Sequence, residues 1–214
     1  MSCIVSIILQ VHILHLVCGL TQLPEEVYKT LFKQRRAEQL AAVKNLKKLS
    51  NIEKQHSMIN LMAEKVFSIF EDCRAHIESS GYIPGISEFP NDEKVRDCLS
   101  NILENTALFS EVVLRFPDVA DVILKQNNKW DIQLQWTIAF CYQVEHLLDK
   151  STMKLLNLVN QELNYTERDP NYLNPYRKTV SLKTTNNTNT SVKDKKKTKK
   201  VSKKGPKLAN FGEL

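Results

Sequence analysis

Between residues 20 and 180 the chain has only two glycines, Gly81 and Gly85, and both fall in "SSGYIPGISEFPND". From 25 to 80 there is neither Gly nor Pro. One clear loop is therefore expected, and little backbone is available to cradle a phosphate. The patterns GxGxxG, GxxxxGK[ST], CxxC and HExxH are all missing. No convincing run of alternating residues marks a strand. Beyond position 20 the histidines are His56, His76 and His146. The first two are 20 residues apart on what reads as one helix, about 30 Å and too far to share a metal. They are expected as core or boundary histidines. Acidic neighbours such as Glu71-Asp72 and Asp92-Glu93 do not face each other on a helix, so they read as solvated or capping groups. These absences point to a non-enzyme with no cofactor and no metal.

Charge is present but unevenly placed. The whole chain carries a formal +6, yet residues 181–214 hold ten lysines against Asp194 and Glu213. The rest is slightly acidic, so the basic pI is a property of the tail and not of a basic domain face. That tail includes Lys195, Lys196, Lys197, Lys199, Lys200, Lys203 and Lys204. Such a run binds anionic lipid, ribosomal RNA or acidic protein surfaces in a salt-dependent way. No DNA binding is expected. Residues 179–214 are too polar to order themselves and are expected to be disordered.

The chain opens with an apolar run over 4–17, about 14 residues and shorter than the roughly 20 that span a bilayer. It suits a signal-peptide core, with Val17 and Gly19 at the small-residue positions before cleavage. An uncleaved anchor or a buried first helix is the alternative. The domain plan is thus a signal peptide at 1–19, a helical domain at 20–178 and the tail. In an oxidising lumen Asn164, Asn186 and Asn189 become candidate glycosylation acceptors. The last residues, Phe211, Gly212, Glu213 and Leu214, share the terminal Glu-Leu read by the retrieval receptor of the endoplasmic reticulum.

Helical periodicity fills the middle. Pro24 suits a first turn. Leu49, Ile52, His56, Ile59, Met62, Val66, Ile69, Cys73 and His76 form a stripe with alternating steps of three and four, widened by Leu61, Phe67, Phe70 and Ile77. Upstream, Tyr28, Leu31, Ala42 and Leu46 continue its phase, interrupted by Arg35 and Glu38. "KKLSN" either breaks the run into two helices or lies within one long helix. Asn91 or Asp92 caps the next helix, which stops near Phe116 because the residue before Pro117 is pushed out of helical geometry. Pro117 starts a short helix, and "NNK" breaks it. "WDIQLQWTIAFCYQVEHLL" reads as a buried helix, and Ser151 is the expected cap of the last. The two Phe-Pro pairs read as helix stops with packed rings. Trp130, Trp136, Phe140 and Tyr142 are mostly core, with an interface role for any left exposed. The expected fold class is all-α, a bundle of five to six helices, not spanning a membrane.

Cys73 and Cys98 lie at equal distances from the hairpin centre near residue 85. Inward-facing side chains there reach bridging distance, so a disulfide is expected; the alternative is two buried free thiols. Cys141 reads as a buried free thiol.

"EEVYKTLFKQRRAEQLAAVKNLKKL", "FPNDEKVRDCLSNILENTALFSEVVLRFP" and "NPYRK" resemble the coiled-coil domain-containing protein 134 family. The resemblance covers residues 24–178 and the plan of the tail: a basic run, a Gly-Pro and a terminal Glu-Leu. A nearly all-Lys tail, the Cys73/Cys98 pair and "FCYQVEHLL" depart from the family and mark a divergent member. The resemblance implies a non-enzymatic secretory-pathway protein, retained in the endoplasmic reticulum and partly secreted. Its implied partners are the reticulum's heat-shock-protein-90-type chaperone, shielded from excess N-glycosylation, and the translocon with its glycosylation machinery. Restraint of MAP-kinase signalling, and nuclear co-activator binding through the basic tail, are the other roles it implies.

Overall fold

The structure, a computed structural model, describes residues 24–177. The expected signal peptide, the lysine tail, Asn186, Asn189 and residues 211–214 lie outside them. Among the described residues there are six α-helices, one 3-10 turn and no strand. They are α1 (Pro24–Lys47), α2 (Ile52–Ser80), α3 (Glu93–Arg115), α4 (Pro117–Gln126), α5 (Asn128–Gln143) and α6 (Lys150–Glu162), with the 3-10 turn Glu145–Leu147 ahead of α6. The fold is an all-helical bundle, as its periodicity implied.

Helix α3 is the hub. It packs against α1, α2, α4, α5 and α6. Thirteen of its residues are buried, over most of the cylinder, leaving one side with Lys94, Asp97 and Asn101 exposed. The buried set includes Leu99, Ile102, Leu103, Phe109 and Leu114. Its boundaries follow local chemistry. The Asp92 carboxylate accepts from Val95 N–H at 2.9 Å. At the other end Phe116 donates its N–H to Val112 O at 2.8 Å, and Pro117 ends the run. Both Phe-Pro rings are packed: Phe116 is buried, and Phe89 lies 5.5 Å from the Tyr28 ring.

"KKLSN" does break the N-terminal run. Asn51 caps α2 by accepting from Lys54 N–H at 2.8 Å. Helix α6 is capped by Asp149, not Ser151. The Asp149 carboxylate takes N–H bonds from Ser151 at 2.8 Å and Thr152 at 2.9 Å, because a cap must sit outside the first helical turn and Ser151 is already within it.

The seam of α2 differs from the sequence stripe. Ile59, Val66, Cys73, Phe67, Phe70 and Ile77 are buried as expected, but Ala63 joins them. Leu61 and Ile52 are exposed (67% and 65%), as is His56. The hydrophobic seam therefore runs 59-63-66-70-73-77. Met62, Ile69 and His76 sit at its margin. The small Ala63, not the larger Leu61, lies on the covered side of α2, so the buried face is turned from the phase its larger side chains suggest.

In α1, Leu31 is exposed and Phe32 takes the buried place beside Tyr28, Val43 and Leu46. Arg35 and Glu38 do interrupt the apolar face, and polar bonds hold the helix there. Gln39 Nε2 donates to Glu104 O at 3.1 Å, and Arg35 Nε lies 3.3 Å from Glu104. Burial raises the Glu104 carboxyl above its ordinary value despite that guanidinium.

Candidate functional site

Two chain breaks meet to form a broad cleft. The α1–α2 junction supplies Leu49, Gln55 and His56; the α3–α4 junction supplies Phe116, Val119 and Val122. The cleft has a volume of about 820 Å³. Its floor is apolar, and Val122 stays 51% exposed. Lys47 and Asp118 supply exposed charge to its lining, and the nearly buried Arg115 borders it from within. Gln55 Nε2 ties the two halves of the first wall by donating to Leu46 O at 3.0 Å. An apolar trough with mixed charge at its edges fits a protein segment better than a small polar substrate.

Behind the rim lies a buried ionic cluster. Glu111 on α3 receives Arg36 from α1 at 3.0 Å and Arg115 from its own helix at 3.0 Å. The Arg115 guanidinium stacks 3.9 Å from the Tyr176 ring and donates to its hydroxyl at 3.1 Å. Asn174 is buried, donates to Leu114 O at 3.0 Å, and accepts from Tyr176 N–H at 2.9 Å. Arg177 reaches Glu162 at 3.0 Å. Residues 174–177 thus form a strap that lies across α3 and α6. The cluster residues Arg36, Glu111 and Arg115 were not singled out in the sequence; Glu111 and Arg115 stand in the otherwise apolar "FSEVVLRFP", whereas Arg36 lies in the charged "KQRRAEQ" and carries no such signal. A second cavity of about 590 Å³ opens beside this cluster, with Lys33 and Lys154 on its wall.

The remaining candidates are scattered. Asn164 is exposed in the left-handed region (φ 57°) just after α6, where asparagine is well tolerated. Trp130 is half-buried and stacks on Phe67 at 4.9 Å, and Trp136 lies 5.3 Å from Phe140 with the Arg74 guanidinium over its ring at 4.7 Å. His56 and His76 both belong to α2 and stay apart; His56 faces the cleft and His76 carries a buried Nε2 with no partner among the described residues. Cys73 and Cys98 are buried side by side as free thiols, and Cys141 is buried as a free thiol elsewhere. Among the described residues no group of three or more His, Cys, Asp or Glu is placed to hold a metal ion. No helix of the described residues is long and apolar enough to cross a membrane.

A family model described as "ERK and JNK pathways, inhibitor" matches residues 21–209, which takes in the cleft, the ionic cluster and the strap. The chain belongs to this family. Two curated relatives carry the name coiled-coil domain-containing protein 134. The chain is 37% identical over 152 residues to that of Xenopus tropicalis and 36% identical over 152 residues to that of Mus musculus. Each match covers 71% of this chain and 66% of the relative, so the matched stretch spans just under two thirds of those proteins. No solved structure matches. The family assignment made from "EEVYKTLFKQRRAEQLAAVKNLKKL", the α3 segment and "NPYRK" is correct.

Proposed function

We propose that this family member is a non-enzymatic, protein-binding helical module that restrains signalling through the ERK and JNK kinase pathways. The supporting observation is the family match over residues 21–209. The cleft between the α1–α2 and α3–α4 junctions is the proposed contact surface, since its floor is apolar, its rim is charged and Val122 is half exposed within it. The test is phosphorylation of ERK and JNK in stimulated cells given the intact chain. Both signals fall with the intact chain and recover with Val122→Asp, which places a charge in the trough without touching the core. Unchanged phosphorylation with the intact chain overturns the reading.

A second reading is favoured by the apolar run at 4–17 together with Glu213-Leu214. It is an adaptor in the lumen of the endoplasmic reticulum that assists the heat-shock-protein-90-type chaperone at the translocon and limits its excess glycosylation. Here the intact chain stays cell-associated and co-purifies with that chaperone, and removal of Glu213-Leu214 sends it into the medium. Equal secretion of both forms, with no chaperone bound, counts against it.

A further inference from the structure

We propose that Cys73 and Cys98 form a disulfide that staples α2 to α3 when the chain folds in the presence of a disulfide oxidant.

The two cysteines come from helices that form the most extensive pair in the fold. Cys73 lies seven residues before the end of α2 at Ser80, and Cys98 lies five residues into α3 from Glu93. At 1.5 Å per residue both are about 8–10 Å from the connecting loop, within one helical turn of each other along the hairpin. Both face the seam, at 6% and 8% exposure. After burial itself, the Cys98 thiol is the group that most raises the Cys73 thiol, as a close neighbour does. Two inward thiols at one level of an antiparallel pair are where a disulfide's demand for close, converging Cβ atoms can be met. Cys141 does not compete. It sits on another helix, α5, at 1% exposure.

Burial, reinforced by the neighbouring Cys98 thiol, pushes the Cys73 thiol up to about 12. Very little thiolate is then present near neutral pH in the folded chain, and the thiolate is the attacking species. Exchange therefore belongs to the folding phase, when both thiols are solvated and ordinary. The Cys73 thiolate attacks one sulfur of oxidised glutathione, or of a disulfide-carrying oxidoreductase, and expels one thiolate. The Cys98 thiolate then attacks the Cys73 sulfur of the mixed disulfide and expels the second. Two protein thiols are oxidised, one external disulfide is reduced to two thiols, and the two released protons reside on them. Once the seam closes, the same burial shields the bond from reductant.

The experiment refolds the full reduced chain in glutathione buffers spanning fully reduced to fully oxidised, blocks free thiols with a maleimide, and maps peptides without reductant. The expected result is a Cys73–Cys98 linked peptide that accumulates with oxidised glutathione, a mass lower by about 2 Da, and Cys141 blocked only after denaturation. The oxidised form should melt roughly 6–12 °C above the reduced form, from closing the loop over residues 74–97. Cys73→Ser should abolish both the linked peptide and the gain. Maleimide on both residues in every buffer overturns the proposal. So does a glutathione adduct on either, or a link to Cys141. The result does not depend on the signalling reading or on the compartment.

Discussion

At Gly85 the backbone has φ 78°, and a Cβ there would come within 2.7 Å of the Gln143 carbonyl oxygen. Gly81 has a similar φ of 73°, but nothing lies within 4 Å of its would-be Cβ. The two loop glycines therefore separate strain from collision. Gly81→Ala should lower stability by about 1 kcal/mol, the cost of a left-handed alanine. Gly85→Ala adds a backbone clash and should cost about 2–3 kcal/mol or more. Paired urea titrations read the difference; equal losses would place the loop elsewhere relative to α5. Asp149 is a second residue-level case. Burial alone would raise its carboxyl, but the hydrogen bonds from Ser151 and Thr152 outweigh it and hold the group below its ordinary value. Because the folded value is depressed, the cap's stabilising share is present above about pH 4 and fades as pH falls through the folded value. Asp149→Ala should cost about 1–2 kcal/mol at pH 7, and the gap to the parent should narrow by pH 3. Unfolding curves at the two pH values check this.

At the scale of the element, α2 tests how a seam is chosen. Leu61 carries the bulkier apolar side chain, yet it is 67% exposed, whereas Ala63 is fully buried. Leu61→Glu should change stability by less than about 0.5 kcal/mol. Ala63→Leu, apolar but three carbons larger, should cost about 1–3 kcal/mol by overpacking the seam. A ranking in the opposite order, from thermal melts of the two variants, would restore the stripe read from the sequence. Helix α3 offers the control. Leu99 is fully buried at the hub, so Leu99→Ala should cost about 2–5 kcal/mol.

The whole molecule is closed by the strap. Arg36, Glu111, Arg115 and Tyr176 come from α1, α3 and the segment after α6, and each satisfies another's buried polar groups. Removing the central carboxylate leaves two nearly buried guanidiniums facing each other. Glu111→Ala should therefore cost about 3–5 kcal/mol and expose the strap. Hydrogen exchange at residues 172–177 should rise by a larger factor than exchange in the α2–α3 seam. Uniform protection across both would mean the strap is held by its other contacts, Asn174 to Leu114 and Arg177 to Glu162.

What the sequence by itself determined were the features set within a few residues. Helix class, the stop before Pro117 and the family rest on local sterics or long matching segments, whereas the break at "KKLSN" and the choice of Asp92 over Asn91 stayed open there and were decided by the structure. The choice of α2 face and the burial of Phe32 in place of Leu31 were decided by tertiary structure, because helix neighbours set which side of a cylinder is covered. The Asp149 cap of α6 is local chemistry, bonds from residues two and three further on, that the choice of Ser151 overlooked. The candidate site was the least legible. Its cleft joins residues near 49–56 to residues near 116–122, and its ionic cluster joins 36, 111, 115 and 176. No spacing rule links positions so far apart; only packing around α3 brings them into one place.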